Sequence, residues 1–225
     1  MSHSKKLKVL VHSNHSRLVT GFGKNARNIL LALHKDPDIE VIEAANGAKF
    51  GDDLLTPWES FGTHPVDPKI LQAIQGDHGR ERMSQYGFYT IDEIIKECEP
   101  DVYLGVEDIW AFSEYPHKPW WNKINKVLWT TLDSLPILDQ ALQMEPECDK
   151  MLVWASFAEE AMKKLGHKNV ETLHGAVDYS NFNFDYDVPE WESQFIHSFG
   201  DQHSVHAGTF LVNINHNEDT QFKYV

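Results

Sequence analysis

Two glycines stand at the start of a helical pattern in the stretch SNHSRLVTGFGKNARNILLAL, residues 13–33. A glycine backbone can approach a ligand closely, because it carries no side chain. The apolar residues that follow recur at helical spacing, and a helix N-terminus offers unpaired N–H groups at the positive end of its dipole. The segment predicts a phosphate-binding site at Gly21, Gly23 and Lys24. Close packing of the helix on a sheet is the alternative reason for the glycines.

Two familiar nucleotide motifs fit this loop poorly. The glycines and Ala26 satisfy G-x-G-x-x-A, the pattern of dinucleotide-binding folds, with Glu43 as the candidate ribose ligand. In that pattern the first glycine follows the first strand directly, whereas residues 14–20 intervene here. A Walker A loop is excluded because neither Ser nor Thr follows Lys24.

Composition excludes several classes of protein. The 225 residues suffice for one full domain and part of a second. The net charge of -14 repels polyphosphate and argues against nonspecific binding to nucleic acid. No apolar run is long enough for a transmembrane helix, and the N-terminus leads into a β-rich run and not into a signal peptide, so we expect a cytoplasmic protein.

Cysteines and histidines offer little chemistry. Cys98 and Cys148 have no C-x-x-C neighbour and are expected to be reduced thiols. Two spaced pairs of histidines lack a third and fourth ligand, so we expect solvated side chains and no metal site. These pairs are His12 with His15 and His203 with His206.

The elements that must position the loop alternate along the chain. Strands are predicted at 7–13, 40–46, 101–106, 126–131, 150–155 and 169–173, and helices from Gly23, at 90–98, around 136–144 and at 156–165. Ser156 and Glu159 fit a capping box, and Gly166 fits a helix end. The alternation predicts an α/β fold with a doubly wound, mostly parallel, Rossmann-like sheet.

Two regions interrupt this alternation. Residues 48–89 are rich in Pro and Gly and are predicted to be a variable insertion, with a short helical turn at 69–74. A polar and aromatic linker follows Asp178, and a last strand is predicted at 209–214. We therefore expect a domain at 1–182, followed at 183–225 by a linker and the truncated start of a second domain.

Five segments, in order, resemble the N-terminal domain of a group 1 (family four) glycosyltransferase of the GT-B fold. They are KVLVHSNHSRLVTGFGKNARNILLAL, PDVYLGVEDIWAF, KVLWTTLDSLPI, DKMLVWASFAEEAMKKLG and VETLHGAVDYSNF. The resemblance covers residues 7–182. It implies transfer, with retention, of a sugar from a nucleoside diphosphate sugar to an acceptor hydroxyl, without a bound metal. The acceptor is a glycan, lipid or protein.

The resemblance also implies roles for particular residues. Gly21 and Gly23 would line the diphosphate side of the cleft, and Gly175 would contribute to substrate binding. Three acids that follow strands would face the same crevice as catalytic candidates, with the third ranked first: Glu107, Asp108 and Asp133. An oxocarbenium-like transition state favours nearby anions, and a carboxylate can take the acceptor proton.

Tryptophans lie in sequence beside the predicted strand ends. Trp110, Trp120 and Trp121 are candidates for substrate binding, because sugars stack on such rings. We expect Trp120 and Trp121, in the loop HKPWWNK, to be partly open as an acceptor platform or lid. Trp129 lies inside a strand and is expected in the core.

Two departures from the family limit the prediction. Leu132 stands where many members have His, and no complete donor-binding domain follows. The first hypothesis is therefore an acceptor-side domain that is inactive alone and works with a separate C-terminal donor domain. A noncatalytic domain that binds a glycan or a protein is the second, and an NAD-dependent oxidoreductase is the third.

Overall fold

The computed structural model describes residues 5–175, which form a seven-stranded sheet. All strand pairs in that part of the chain are parallel, in the order β3-β2-β1-β4-β5-β6-β7. The strands are β1 Leu7–Asn14, β2 Ile39–Lys49, β3 Glu59–His64, β4 Val102–Val106, β5 Asn125–Thr130, β6 Lys150–Val153 and β7 Val170–Thr172. This order confirms the predicted doubly wound sheet.

Helices cover both faces of the sheet. They are α1 Gly21–His34, α2 Pro68–Ile74, α3 His78–Gln85, α4 Ile91–Cys98, α5 Asp139–Met144 and α6 Ser156–Lys164, with short 3-10 helices at Ile109–Phe112, Tyr115–His117, Trp121–Lys123 and Glu145–Glu147. Buried side chains of α4, α5 and α6 belong to one core cluster and those of α1 to the other.

The strands are apolar on both faces because each face packs against helices. In β1, Leu10 belongs to the cluster under α4, α5 and α6, whereas Val9 and Val11 pack with Leu30 of α1. Strands buried on both faces read as continuous apolar runs, which explains why this strand was predictable from sequence.

The strand order reverses direction between β1 and β4. From β1 the chain proceeds outward to β2 and β3, then returns to place β4 on the other side of β1. At such a switch point the connecting helices lie on opposite faces, and a crevice opens beyond the carboxyl ends of the two central strands. The segments after Asn14 and Val106 border this crevice.

The prediction of a variable insertion at 48–89 was wrong, although its helical turn at 69–74 is confirmed as α2. This segment contains β3, α2 and α3. The sequence of β3, ESFGTH, lacks an apolar run, and Gly62 interrupts it. A β-carbon at Gly62 would lie 2.0 Å from the carbonyl oxygen of Lys49, so glycine is required where the register between β2 and β3 shifts.

The predicted capping box at α6 was also wrong. Ala155 is the N-cap, and no side chain caps the helix. Glu159 instead accepts a hydrogen bond from the backbone N–H of Thr172 at 2.7 Å, which ties α6 to β7. Gly166 has a φ of +97° directly after the helix, as expected for a glycine stop.

Both cysteines are free and buried, which confirms the prediction of unpaired thiols. Within residues 5–175 no helix combines the length and apolar character needed to cross a bilayer. The predicted linker after Asp178, the strand at 209–214 and the boundary at 182 lie outside the described residues.

Candidate functional site

The glycine loop and two of the predicted acids meet at the carboxyl edge of the sheet. Ser13 of β1 pairs with Val106 of β4, so the ends of these strands are adjacent. Glu107 and Asp108 follow β4 directly, and Asn14 donates from Nδ2 to the Oγ1 of Thr20, the N-cap of α1, at 3.0 Å. The start of α1 and the two acids therefore lie at the same edge of the sheet, and their roles in binding and catalysis stay predictions.

Glu107 is the buried acid of this group. Glu107 is 2% exposed, and its Oε1 accepts a hydrogen bond from Asn46 Nδ2 at 3.2 Å. Burial raises the pKa of Glu107 to about 8, with the Asn46 hydrogen bond opposing the shift and the charge of Asp108 adding to it. The carboxyl group is therefore mostly protonated at neutral pH and can exchange a proton there.

Asn46 is oriented by a buried network that begins at His12. Oδ1 of Asn46 lies 2.8 Å from Nε2 of His12 and accepts from Thr63 Oγ1 at 2.8 Å. Since an amide oxygen only accepts, Nε2 carries the ring proton, and Nδ1 accepts from the hydroxyl of Tyr103 at 2.7 Å. These bonds turn the Asn46 amide so that its NH₂ group faces Glu107.

The prediction that His12 is solvated was wrong. The side chain is fully buried among aromatic rings, and burial lowers its pKa to about 4, so the ring is neutral at physiological pH. The pattern LKVLVHS did not predict the burial of His12, because the local sequence does not indicate which distant residues surround the side chain. Within residues 5–175 no cluster of three or more potential metal-ligating side chains occurs.

Asp108 and Asp133 have different surroundings. Oδ1 of Asp108 accepts a short hydrogen bond from Thr131 Oγ1, which joins the end of β4 to the end of β5. Asp133 lies two residues beyond Thr131, is exposed, and has no hydrogen-bond partner among the described residues. Leu132, at the position where the family resemblance leads one to expect histidine, is buried in the core.

The two glycines of the loop have different requirements. A β-carbon at Gly23 would lie 2.6 Å from the carbonyl oxygen of Leu18 and 3.0 Å from that of His15, so this glycine lets the helix pack against the loop. A β-carbon at Gly21 would meet nothing within 4 Å. Gly21 and Lys24 are exposed in the first turn of α1. A Gly23→Val substitution would thus distort the loop whether or not phosphate binds.

Glu43 holds the loop between β1 and α1 in place through hydrogen bonds. Its Oε1 accepts from the backbone N–H of Ser16 at 2.7 Å, and its Oε2 accepts from Trp58 Nε1 at 2.7 Å and from the hydroxyls of Ser16 and Ser60 at 3.1 Å. Only 2% of the residue is exposed. A carboxylate so fully bonded inside the protein has no free oxygen for a ribose, which argues against the dinucleotide alternative.

The expectation that Trp120 and Trp121 form an open platform was wrong. Their exposed fractions are 6% and 0%. Trp120 Nε1 donates to Asp92 at 2.7 Å, and Trp121 Nε1 donates to the carbonyl oxygen of Glu147 at 2.8 Å. An indole with a satisfied N–H is favourable in a core, and both rings fill the space beside Tyr103. Trp129 is buried, as predicted.

Trp110 is the half-buried tryptophan among the three substrate-binding candidates. Two residues that sequence reasoning missed lie against it. The guanidinium carbon of Arg82 is 3.7 Å from the centre of the Trp110 ring, and Tyr86 meets the ring edge-on at 4.6 Å between centroids. Both belong to the α3 region, where the sequence pattern predicted no element.

Gly175 lies beyond β7, where a β-carbon would be 3.1 Å from the Trp154 ring. Packing against Trp154 therefore explains why glycine occupies this position, and a contact with substrate stays a prediction.

A cleft of about 580 Å³ lies between α2, α3 and the end of β3, lined by His64, Leu71, Gln72, Gln75, Ser84 and Gln85. Neither Arg82 nor Tyr86 lines this cleft.

Known structures share this architecture. A UDP-N-acetylglucosamine 2-epimerase superposes with a TM-score of 0.51 at 17% identity, covering 82% of this chain and 53% of its own. The fold is that of a GT-B N-terminal domain. A lipopolysaccharide outer core galactosyltransferase scores 0.49 at 13% identity over 78% and 47% of the two chains. A UDP-GlcNAc 2-epimerase from Neisseria meningitidis bound to UDP-GlcNAc scores 0.46 at 9% identity over 75% and 45%.

The chain spans about half the length of the solved structures that it matches. At 17% identity, the match to the first of these structures demonstrates a shared fold and not a shared activity. No family model and no curated protein matches the chain. Membership of glycosyltransferase family four therefore stays a prediction.

Proposed function

We propose that the protein supplies the acceptor side of the cleft of a sugar-nucleotide-dependent glycosyltransferase. The observation that carries this proposal is the position of Glu107, a buried carboxyl group with a pKa of about 8 at the switch-point crevice. A group that exchanges its proton near neutral pH suits the deprotonation of an acceptor hydroxyl. The GT-B type of fold supports a sugar nucleotide as donor.

The start of α1 suits the other half of the reaction. The N–H groups of Gly21 and Phe22 lie in the first turn, where no intrahelical acceptor exists. The Thr20 side chain caps the N–H of Gly23 and not these two groups. Such groups stabilise the charge that develops on a departing diphosphate. The open surroundings of Gly21 leave room for that ligand.

The acids have distinct roles in this proposal. Glu107 is the proton acceptor in its ionised form, which is the minor form at neutral pH and grows toward pH 8. Asp108, fixed by Thr131, orients the acceptor hydroxyl. Asp133 is exposed and contributes charge at the rim of the crevice. The mechanism proceeds with retention and without a bound metal, as the family resemblance implies: the acceptor oxygen attacks the oxocarbenium-like sugar from the face that the nucleoside diphosphate leaves, and its proton passes to Glu107. The donor nucleotide binds chiefly to a second domain, so we expect no turnover by these 225 residues alone.

The test is a transfer assay with the protein alone and together with a donor-binding GT-B domain encoded in the same gene or beside it. Nucleoside diphosphate sugars and a panel of glycans are supplied, and mass spectrometry detects the glycosylated product and the released nucleotide. Product that requires both parts supports the proposal. Hydrolysis of sugar nucleotide by the protein alone, or an epimerised donor as the sole product, contradicts it.

Two glycine variants separate binding at the loop from its packing. Gly21→Val places a side chain in open space where the diphosphate would lie, so we expect weaker binding of the sugar nucleotide with unchanged stability. Gly23→Val is the contrasting variant, because its clash with the backbone of Leu18 lowers stability directly. Equal donor affinity in Gly21→Val and the unmodified protein would show that the loop contacts no phosphate.

A further inference from the structure

A cluster of three side chains has no role in the proposed reaction. It consists of Arg82, Tyr86 and Trp110. The guanidinium of Arg82 lies 3.7 Å from the centre of the Trp110 ring, close enough for a cation–π interaction. Tyr86 meets the same ring edge-on, with an interplanar angle of 79°. Three side chains thus form one packed unit on the surface.

Arg82 has no acidic partner in the described part of the chain. No Asp or Glu oxygen there lies within 4.0 Å of its guanidinium. Arg80, on the same helix, provides the contrast, because its Nε lies 3.4 Å from Asp77. An unpaired cation is notable in a protein whose net charge is -14.

The Arg82 guanidinium contacts the Trp110 ring, and its N–H groups make no hydrogen bond within the described part of the chain. Cation–π contact uses the face of the guanidinium, whereas its N–H donors point outward in the plane of the group. That planar fork matches the two oxygens of a carboxylate or phosphate. The indole also restricts the side chain, so less conformational entropy is lost when an anion binds.

The cluster is held beside the two acids. Trp110 follows Asp108 by two residues, and the backbone carbonyl of Tyr86 accepts a hydrogen bond from the buried Tyr115 hydroxyl at 2.9 Å. Burial raises the pKa of the Tyr86 phenol, the charge of Glu107 raises it further, the charge of Arg82 lowers it, and the charge of Asp108 raises it. The Tyr86 phenol therefore lies near Arg82 and near both acids.

We propose that Arg82, stacked on Trp110, binds the anionic group of an acidic acceptor sugar, either a carboxylate or a phosphate. The identification of that sugar as an acceptor rests on the proposed function, whereas binding of the anion does not. A neutral hydroxyl of the same sugar then lies toward Glu107 and Asp108. The acceptor class is an acidic glycan and not a neutral one.

Binding is measured on the full chain by ¹⁵N NMR, which follows the indole N–H of Trp110 and the Nε–H of Arg82. The probes are glucuronic acid, glucose 6-phosphate, glucose and inorganic phosphate. We expect both acidic sugars to shift these two signals at millimolar concentration and glucose to leave them unchanged. Comparison of the two acidic sugars distinguishes a carboxylate ligand from a phosphate ligand.

Three variants test the role of the fork. Arg82→Gln should weaken binding of the acidic sugars about tenfold or more, the loss expected for one charge-assisted pair. Arg82→Lys keeps the charge without the fork and should give an intermediate affinity. Arg80→Gln is the matched control on the same helix, and it should bind the probes as the unmodified protein does.

Several results would overturn the inference. They are an absence of binding by both acidic sugars and phosphate, equal affinity for glucose, or an equal loss in Arg80→Gln and Arg82→Gln. If these occur while a neutral acceptor is glycosylated, the inference fails and the proposed function stands. If the acidic sugars bind through Arg82 but no donor is ever consumed, the anion site stands and the transferase proposal fails.

Discussion

Two acidic segments follow strands at the same edge of the sheet, and their acids differ in burial and in hydrogen bonding. After β4, Glu107 is buried, bonded to Asn46 and carries a pKa of about 8. After β5, Asp133 is exposed and has no hydrogen-bond partner among residues 5–175. The comparison teaches that position at a strand end places an acid near the crevice, whereas burial and partners decide whether it can exchange protons at neutral pH.

The largest expected effect separates these two acids in the transfer assay. Glu107→Gln keeps the shape of the side chain and removes proton exchange, so turnover should fall by about 10²-fold or more. Asp133→Asn, the matched change at the other strand end, should cost less because this side chain is solvated. The sequence ranked the two in the opposite order. A larger loss in Asp133→Asn than in Glu107→Gln would restore that ranking and remove Glu107 from the mechanism.

The second effect concerns stability against pH. Because the folded pKa of Glu107 lies above the unfolded value near 4.5, the folded state holds the proton between about pH 4.5 and 8 while the unfolded state releases it. The free energy of unfolding should therefore fall as the pH rises through this window, by at most about 1.4 kcal/mol per pH unit. Glu107→Gln lacks this dependence and should become the more stable protein toward pH 8.

Urea unfolding at several pH values measures this difference. The quantity compared is the free energy of unfolding of Glu107→Gln minus that of the unmodified protein, which should grow between pH 5 and 8 by about 3.5 kcal/mol in total. Asp133→Asn serves as the surface control, expected to change stability by no more than about 0.5 kcal/mol. A constant difference across the window would mean that Glu107 is ionised in the folded protein.

The third effect tests the network behind Glu107. Asn46→Asp replaces the amide that donates to Glu107 by a group that can carry a negative charge, so the pKa of Glu107 should rise by about one further unit. Titration of the Glu107 carboxyl carbon by ¹³C NMR measures the shift. Asn28→Asp, on the exposed face of α1, is the control. A pKa of Glu107 that does not respond to Asn46→Asp would show that the two side chains are not in contact.

The smallest effect tests the link between the two strand ends. Thr131→Val removes the hydroxyl that donates to Asp108 and should lower stability by about 1 kcal/mol. The loss in the double variant with Asp108→Asn should be smaller than the sum of the single losses. Additive losses in thermal or urea unfolding would show that the contact contributes nothing to the fold.

Much of the fold was predictable because it depends on local patterns. The apolar run of β1 and the helical spacing of α1 each determine an element by themselves, and parallel strands buried on both faces give the strongest such patterns. β3 and α3 were missed because their short polar sequences are stabilised by what they pack against. Gly62 permits the close approach of β2, but from the sequence alone a glycine at this position indicates only an interruption of a strand.

The site was predictable in position and not in chemistry. Placement of Glu107 and Asp108 follows from the strand order, which the alternation of elements implies. Burial of Glu107, the neutral state of His12 and the partners of Glu43 arise from residues distant in sequence, and no local spacing encodes them. The same holds for Trp120, whose neighbours in the loop HKPWWNK gave no sign that Asp92 would accept its N–H.

The most direct test of the account is the pKa of the Glu107 carboxyl group itself. A ¹³C NMR titration of the folded protein, with the signal assigned by its loss in Glu107→Gln, reports this value without any substrate. The buried site at the end of β4 predicts a midpoint of about 8. A midpoint near the ordinary glutamate value of about 4.3 would contradict the account, because the crevice would then hold no group that exchanges protons at neutral pH.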